Sequence, residues 1–183
     1  CLPIPALFLP PSAGLLTAMA MSVLVNILDC TDGPVARETG QASQAGAYLD
    51  FAVDVLHRGV LLTVIGHFAD VASDNASATW LAAGIGSGFL ATFARLNRSH
   101  MLSYHLPDDI KSGKPESNVI TMIYGFLSGI DKLLPLFALP AWHWGMLDAL
   151  LIWFFLYHGA DAVIAVTGNY ARLKSSDARK VKR

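Results

Sequence analysis

The chain has 183 residues, 54% of them hydrophobic and only 15% charged, with a mean hydropathy of +0.46. That is too apolar for an ordinary water-soluble domain of this size, and a formal net charge of −1 supplies no electrostatic footprint for a nucleic acid. Cys1 and Cys30 are too few for a disulfide framework or a cysteine-rich metal site and are expected as free thiols.

Residues 1–11 are apolar but interrupted by Pro3, Pro5, Pro10 and Pro11, so no continuous helix is expected there. The segment is read as the remnant or exit of a first membrane helix, and no charged region precedes residues 2–9 to make an intact signal peptide. Spans are then expected at residues 12–29, 46–72, 75–98, 118–139 and 142–167, each near the roughly 20 residues that cross a bilayer. A basic tail covers 168–183, and the whole of 1–183 reads as a single domain: an all-α, polytopic membrane helix bundle. Gly84, Gly86 and Gly88 mark close helix packing rather than a nucleotide-cradling loop, because no strand precedes them. Residues 105–117 are expected as an exposed loop, Lys132 with Asp148 as a buried ion pair, and Trp142 and Trp144 as part of an outer aromatic belt.

Two hydrophobic segments meet at a group of four acids. Asp29 and Asp32 are three residues apart and Asp50 and Asp54 four apart, so on helices each pair projects from one face. Two such faces turned toward each other repel unless something positive lies between them, and hard divalent cations prefer carboxylate oxygen, so a Mg²⁺ or Mn²⁺ site is expected. Carboxylates near the end of a membrane span are functional candidates by default.

The pattern Asp29-x2-Asp32-Gly33-x2-Ala36-Arg37-x8-Gly46-x3-Asp50-x3-Asp54 resembles the signature of the CDP-alcohol phosphatidyltransferase family, with every fixed position filled. The resemblance implies the family's six-helix membrane fold, with the first helix largely missing from this chain. It implies transfer of a substituted phosphate from a CDP-alcohol to the hydroxyl of an acceptor alcohol with release of CMP, and a homodimer. It assigns Asp29, Asp32 and Asp50 to two metal ions and Asp54 to the second ion and to general-base work. Asp32, Gly33, Ala36, Arg37, Ser43 and Gly46 fall at CDP-alcohol-binding positions, Gly33 leaving room for the nucleotide and Arg37 binding diphosphate or nucleotide.

Arg37, Arg95, Arg98, Lys111, Lys114 and the basic tail all fall on one side if the spans alternate, while residues 2–12, 70–77 and 140–145 contain no Lys or Arg. The positive-inside rule makes that side cytoplasmic, with the acidic motif opening to it, in the plasma membrane of a prokaryote. Arg95 and Arg98 share a helical face where an acceptor's phosphate or carboxylate could be held, with interfacial anchoring as the equal alternative. Arg58 either neutralises the acids or meets the acceptor; His57 is read as a packing residue. The residues after Asp54, Val-Leu-His-Arg-Gly, match neither glycerophosphate-using nor inositol-using members, so no acceptor is named. The lipid can lie on the donor, as in CDP-diacylglycerol, or on the acceptor of a CDP-linked head group. A cation transporter and a non-enzymatic scaffold are the rivals from other classes.

Overall fold

The structure, a computed structural model, describes residues 3–41, 43–74, 77–103 and 133–181, with the side chains of 102–103 and 175–181 excepted. The expected loop over 105–117, most of the span over 118–139, and the pairing of Lys132 with Asp148 lie outside the described residues. A 3-10 helix, Ile4–Phe8, leads into α1 (Pro11–Glu38), α2 (Gln44–Ala72), α3 (Thr79–Ser103), α4 (Leu134–His143) and α5 (Leu147–Val181). No strand occurs among the described residues, as the all-α reading requires.

Local chemistry explains where the helices begin and stop. Pro11 occupies the first position of α1, where a missing N–H costs nothing. After α1 the chain turns at Gly40, whose φ of +67° only glycine adopts freely. The N–H groups of Gly40 and Gln41 donate to the carbonyls of Arg37 and Ala36, closing the helix in a Schellman motif. Gly145, at φ +66°, ends α4 the same way, with Met146 N–H donating to Ala141 at 2.7 Å. At the start of α2, Ser43 Oγ accepts the Gly46 N–H at 3.0 Å, an ordinary serine N-cap.

The turn between α2 and α3 is held by Asp70. Ala78, just before α3, sits at φ +53° and has no side-chain acceptor for the first amides of the helix. Asp70, in the last turn of α2, supplies it: its Oδ1 accepts from Trp80 N–H at 3.0 Å and its Oδ2 from Leu81 N–H at 2.8 Å. A carboxylate placed there also meets the positive end of the helix dipole.

α2 and α3 run antiparallel with their backbones in near contact. A Cβ on Gly66 would fall 2.4 Å from the Trp80 carbonyl oxygen, one on Gly84 2.4 Å from that of Leu62, and one on Gly88 3.0 Å from Gly59. Gly86 faces the other way, onto the Phe155 ring of α5. The glycine cluster is therefore a packing device, serving two neighbours of α3 at once.

The apolar core gathers at the end of the bundle where α2 finishes. Leu61, Leu62, Ile65 and Phe68 pack there with Leu15 and Met19 of α1, Leu134 of α4, and Leu151 and Phe154 of α5. Trp142 stands edge-on to Phe68, ring centres 6.5 Å apart, and so belongs to this packing, while Trp144 is exposed. The opposite half of α1 and α2 is open, and that half carries the four acids. Phe8, Phe89, Leu156 and Val163 are among the large apolar side chains left on the outside, a surface suited to lipid and ill suited to water.

Two helix boundaries differ from expectation. α1 does not end at Asp29 but continues through the motif to Glu38, with Pro34 inside the helix; Pro140 likewise lies within α4. Of the five spans expected, two helices among the described residues, Pro11–Glu38 and Leu147–Lys174, are long and apolar enough to cross a membrane on their own. α2, which carries Asp50, Asp54, His57, Arg58, His67 and Asp70 along its length, is not one of them.

Candidate active site

The Schellman turn at Gly40 and the serine cap at Ser43 reverse the chain between α1 and α2, which brings the two halves of the motif face to face. Asp29, Asp32, Asp50 and Asp54 all line one cavity of about 320 Å³, floored by Val25, Leu28, Leu49 and Val53. The side chains of Asp29 and Asp50 meet across the two helices, and the charges of Asp32 and Asp54 act on Asp50 as well. The donor set is entirely carboxylate, as a hard divalent cation prefers. Among the described residues, however, no three acids, histidines or cysteines converge as a ready ligand cluster. Four like charges that share one cavity repel, which opposes convergence.

A second chamber, of about 280 Å³, adjoins the first. It is lined by Asp32, Gly33, Ala36, Arg37, Gln41, Ser43, Gly46, Ala47 and Asp50, which includes all six positions expected to bind CDP-alcohol. Asp32, Gly46 and Asp50 border both chambers. The space beside Gly33 is open: a Cβ there would meet nothing nearer than Arg37 Nη1, at 3.6 Å. Gly33 is thus not required by helix packing. Gly46 is tighter, since a Cβ would press on Ser43 Oγ at 3.2 Å and disturb the cap. Ser43 therefore has a structural duty that its sequence position did not announce.

A third, apolar groove of about 370 Å³ runs between α1 and the start of α4. Val23, Ile27, Cys30, Leu133, Pro135 and Leu136 line it, with Asn26 and Asp29 shared with the acid cavity.

Arg58, Arg95 and Arg98, the arginines expected near an acceptor, do not act together. Arg95 Nη2 lies 2.7 Å from Asp54 Oδ2, and Arg58 Nη2 3.7 Å from Asp54 Oδ1 along the same helix. Although Arg95 is that close, Asp54 Oδ2 is buried without a hydrogen bond of good alignment; the contact is an ion pair and no more. Arg98 instead reaches α5, where its two terminal nitrogens engage the two oxygens of buried Asp161. The side-chain amide of Asn169 adds a bond to the Asn97 carbonyl at 2.9 Å, so this end of α3 is tied to α5. Asp161 was missed in the sequence, where nothing but its place in an apolar helix distinguishes it. His57 is buried as expected for a packing residue, with neither ring nitrogen hydrogen-bonded among the described residues. Cys30 is a free, exposed thiol.

A family model described as CDP-alcohol phosphatidyltransferase matches residues 1–154 of the chain. No curated protein and no solved structure matches it.

Proposed function

The chain belongs to the CDP-alcohol phosphatidyltransferase family, and from that premise we propose that it transfers a phosphatidyl group from CDP-diacylglycerol to the hydroxyl of an acceptor alcohol, releasing CMP. The observation that carries this reading is the pair of adjoining chambers: four carboxylates around one, and Gly33, Arg37 and Ser43 around the other. Arg37 offers a fixed, planar cation to the diphosphate, and the open space at Gly33 lets the nucleotide approach the α1 backbone.

Asp29, Asp32 and Asp50 are the residues that would hold Mg²⁺ or Mn²⁺, with Asp54 at the second ion; all four border one cavity. When bound, such ions neutralise the diphosphate and favour departure of CMP. Asp54 takes the proton of the acceptor hydroxyl as its oxygen forms a bond to the β-phosphorus and the bond to CMP breaks. The two chambers share Asp32, Gly46 and Asp50, so a donor with its nucleotide in one would present its diphosphate to the acids of the other.

The apolar groove favours a lipid on the donor, because it meets the acid cavity at Asp29 and Asn26 and so can take acyl chains of a molecule whose diphosphate lies among the acids. In this reading the helices that are not self-sufficient as spans cross the bilayer as members of the bundle. In this reading the acid end faces the cytoplasm, since Arg37, Arg95, Arg98, Arg172 and Lys174 all lie in the C-terminal parts of helices that finish on that side. The test is CMP release from CDP-diacylglycerol with a panel of alcohols, in Mg²⁺, Mn²⁺ or EDTA. Release that depends on both metal and one alcohol supports the reading; release only from a CDP-linked head group, with diacylglycerol as acceptor, moves the lipid to the other substrate.

A further inference from the structure

We infer that Arg95 is a positioning residue for Asp54 rather than an anchor for the acceptor, an inference that rests on the reading of Asp54 as the base. Arg95 reaches across from α3 and places Nη2 2.7 Å from Asp54 Oδ2. Its guanidinium also lies 5.6 Å from the centre of the Phe51 ring, close enough for a cation–π contact. Phe51, Asp54 and Arg58 are spaced three and four residues apart, so α2 presents one stripe of ring, carboxylate and cation to α3. Two separate contacts, one to a ring and one to a carboxylate, hold the guanidinium in place.

The consequence falls on Asp54. Its Oδ2 is buried and faced by Arg95, whereas the side chain as a whole keeps 22% of its surface exposed while lining the acid cavity. Only Oδ1 is left to present to a ligand, with Arg58 standing off at 3.7 Å. A carboxylate tied back at one oxygen can turn neither toward Asp50 nor out of the cavity, and it offers the acceptor hydroxyl one defined atom. Arg95 also offsets part of the negative charge of the quartet and competes with any cation for the same carboxylate.

These two roles predict opposite changes on removing the arginine, a signature that neither acceptor binding nor simple loss of fold would give. In the full chain in lipid vesicles, Arg95→Gln should lower kcat at least about tenfold, since misplacing a catalytic group by about 1 Å can cost about 10²-fold. The KM for each substrate should stay within about threefold. Mn²⁺, titrated by electron paramagnetic resonance, should bind the variant more tightly than the wild type, because its rival for Asp54 is gone. Arg95→Lys, which keeps the charge but loses the planar fork, should recover part of kcat. In an Asp54→Asn background, Arg95→Gln should leave Mn²⁺ affinity unchanged. An acceptor KM that rises with kcat intact would overturn the inference in favour of acceptor anchoring. Weaker Mn²⁺ binding together with a lower melting temperature would overturn it in favour of a purely structural pair. Should the wild type release no CMP at all, the functional reading fails, and the Mn²⁺ titrations still decide whether Arg95 acts on the metal site through Asp54.

Discussion

Gly33 stands one helical turn before Arg37 on α1, and the hydrogen it carries in place of a side chain points into free space beside the Arg37 guanidinium. This separates what the fold needs from what a ligand needs. Alanine in a helix is worth about 1 kcal/mol over glycine, and a Cβ here meets only the flexible end of Arg37. Gly33→Ala is expected to leave the melting temperature equal or higher while weakening CDP-alcohol binding about tenfold or more. Calorimetric titration beside a thermal melt checks both halves, and unchanged affinity would remove the nucleotide from this chamber.

The glycines of the α2 and α3 contact should behave in the opposite sense. A Cβ at Gly66 or Gly84 collides with backbone carbonyl oxygens at 2.4 Å, so the helices must separate. Either alanine variant should lose about 1–3 kcal/mol or more, whereas Gly168→Ala, with nothing within 4 Å, should be neutral or stabilising. Thermal melts of the three variants in the same detergent provide the comparison.

Asp70 predicts a stability effect remote from the acids. Asp70→Ala leaves the first amides of α3 without their acceptor and should cost about 1–2 kcal/mol. Asp70→Asn, which keeps one carbonyl acceptor, should cost less. CMP release at a temperature where both variants remain folded should match the wild type.

Arg98 and Asp161 should behave as one unit. With Asp161 buried and bound by both terminal nitrogens of Arg98, either Arg98→Gln or Asp161→Asn removes the opposite charge from this pair and should lower stability. The double variant should be no less stable than the worse single one. A raised acceptor KM in Arg98→Gln without loss of stability would instead restore Arg98 to the acceptor site.

The acids and their spacing were readable because charge is rare in so apolar a chain, and the structure places all four around one cavity. The six CDP-alcohol positions came from the family resemblance of the motif, and they line a single chamber. What escaped was set by partners distant in sequence. Arg95 and Arg98 share a helical face, yet one meets α2 and the other α5, a division fixed by how three helices pack. No role for Asp70 was read from the sequence, because that role depends on the alanine before α3 having no side-chain acceptor. The run Asp32-Gly33-Pro34 has the composition of a turn, yet α1 continues through it. Pro34 lacks only one N–H, and the unpaired carbonyl falls where the helix is open rather than packed in the core.

The account turns on whether the four carboxylates exist to hold divalent ions beside a CDP-alcohol. Turnover of CDP-diacylglycerol by the reconstituted chain should vanish in EDTA, return with Mg²⁺ or Mn²⁺, and be absent in Asp50→Asn and Asp54→Asn, the latter still binding donor. Turnover that survives EDTA, or persists in Asp50→Asn, would contradict it.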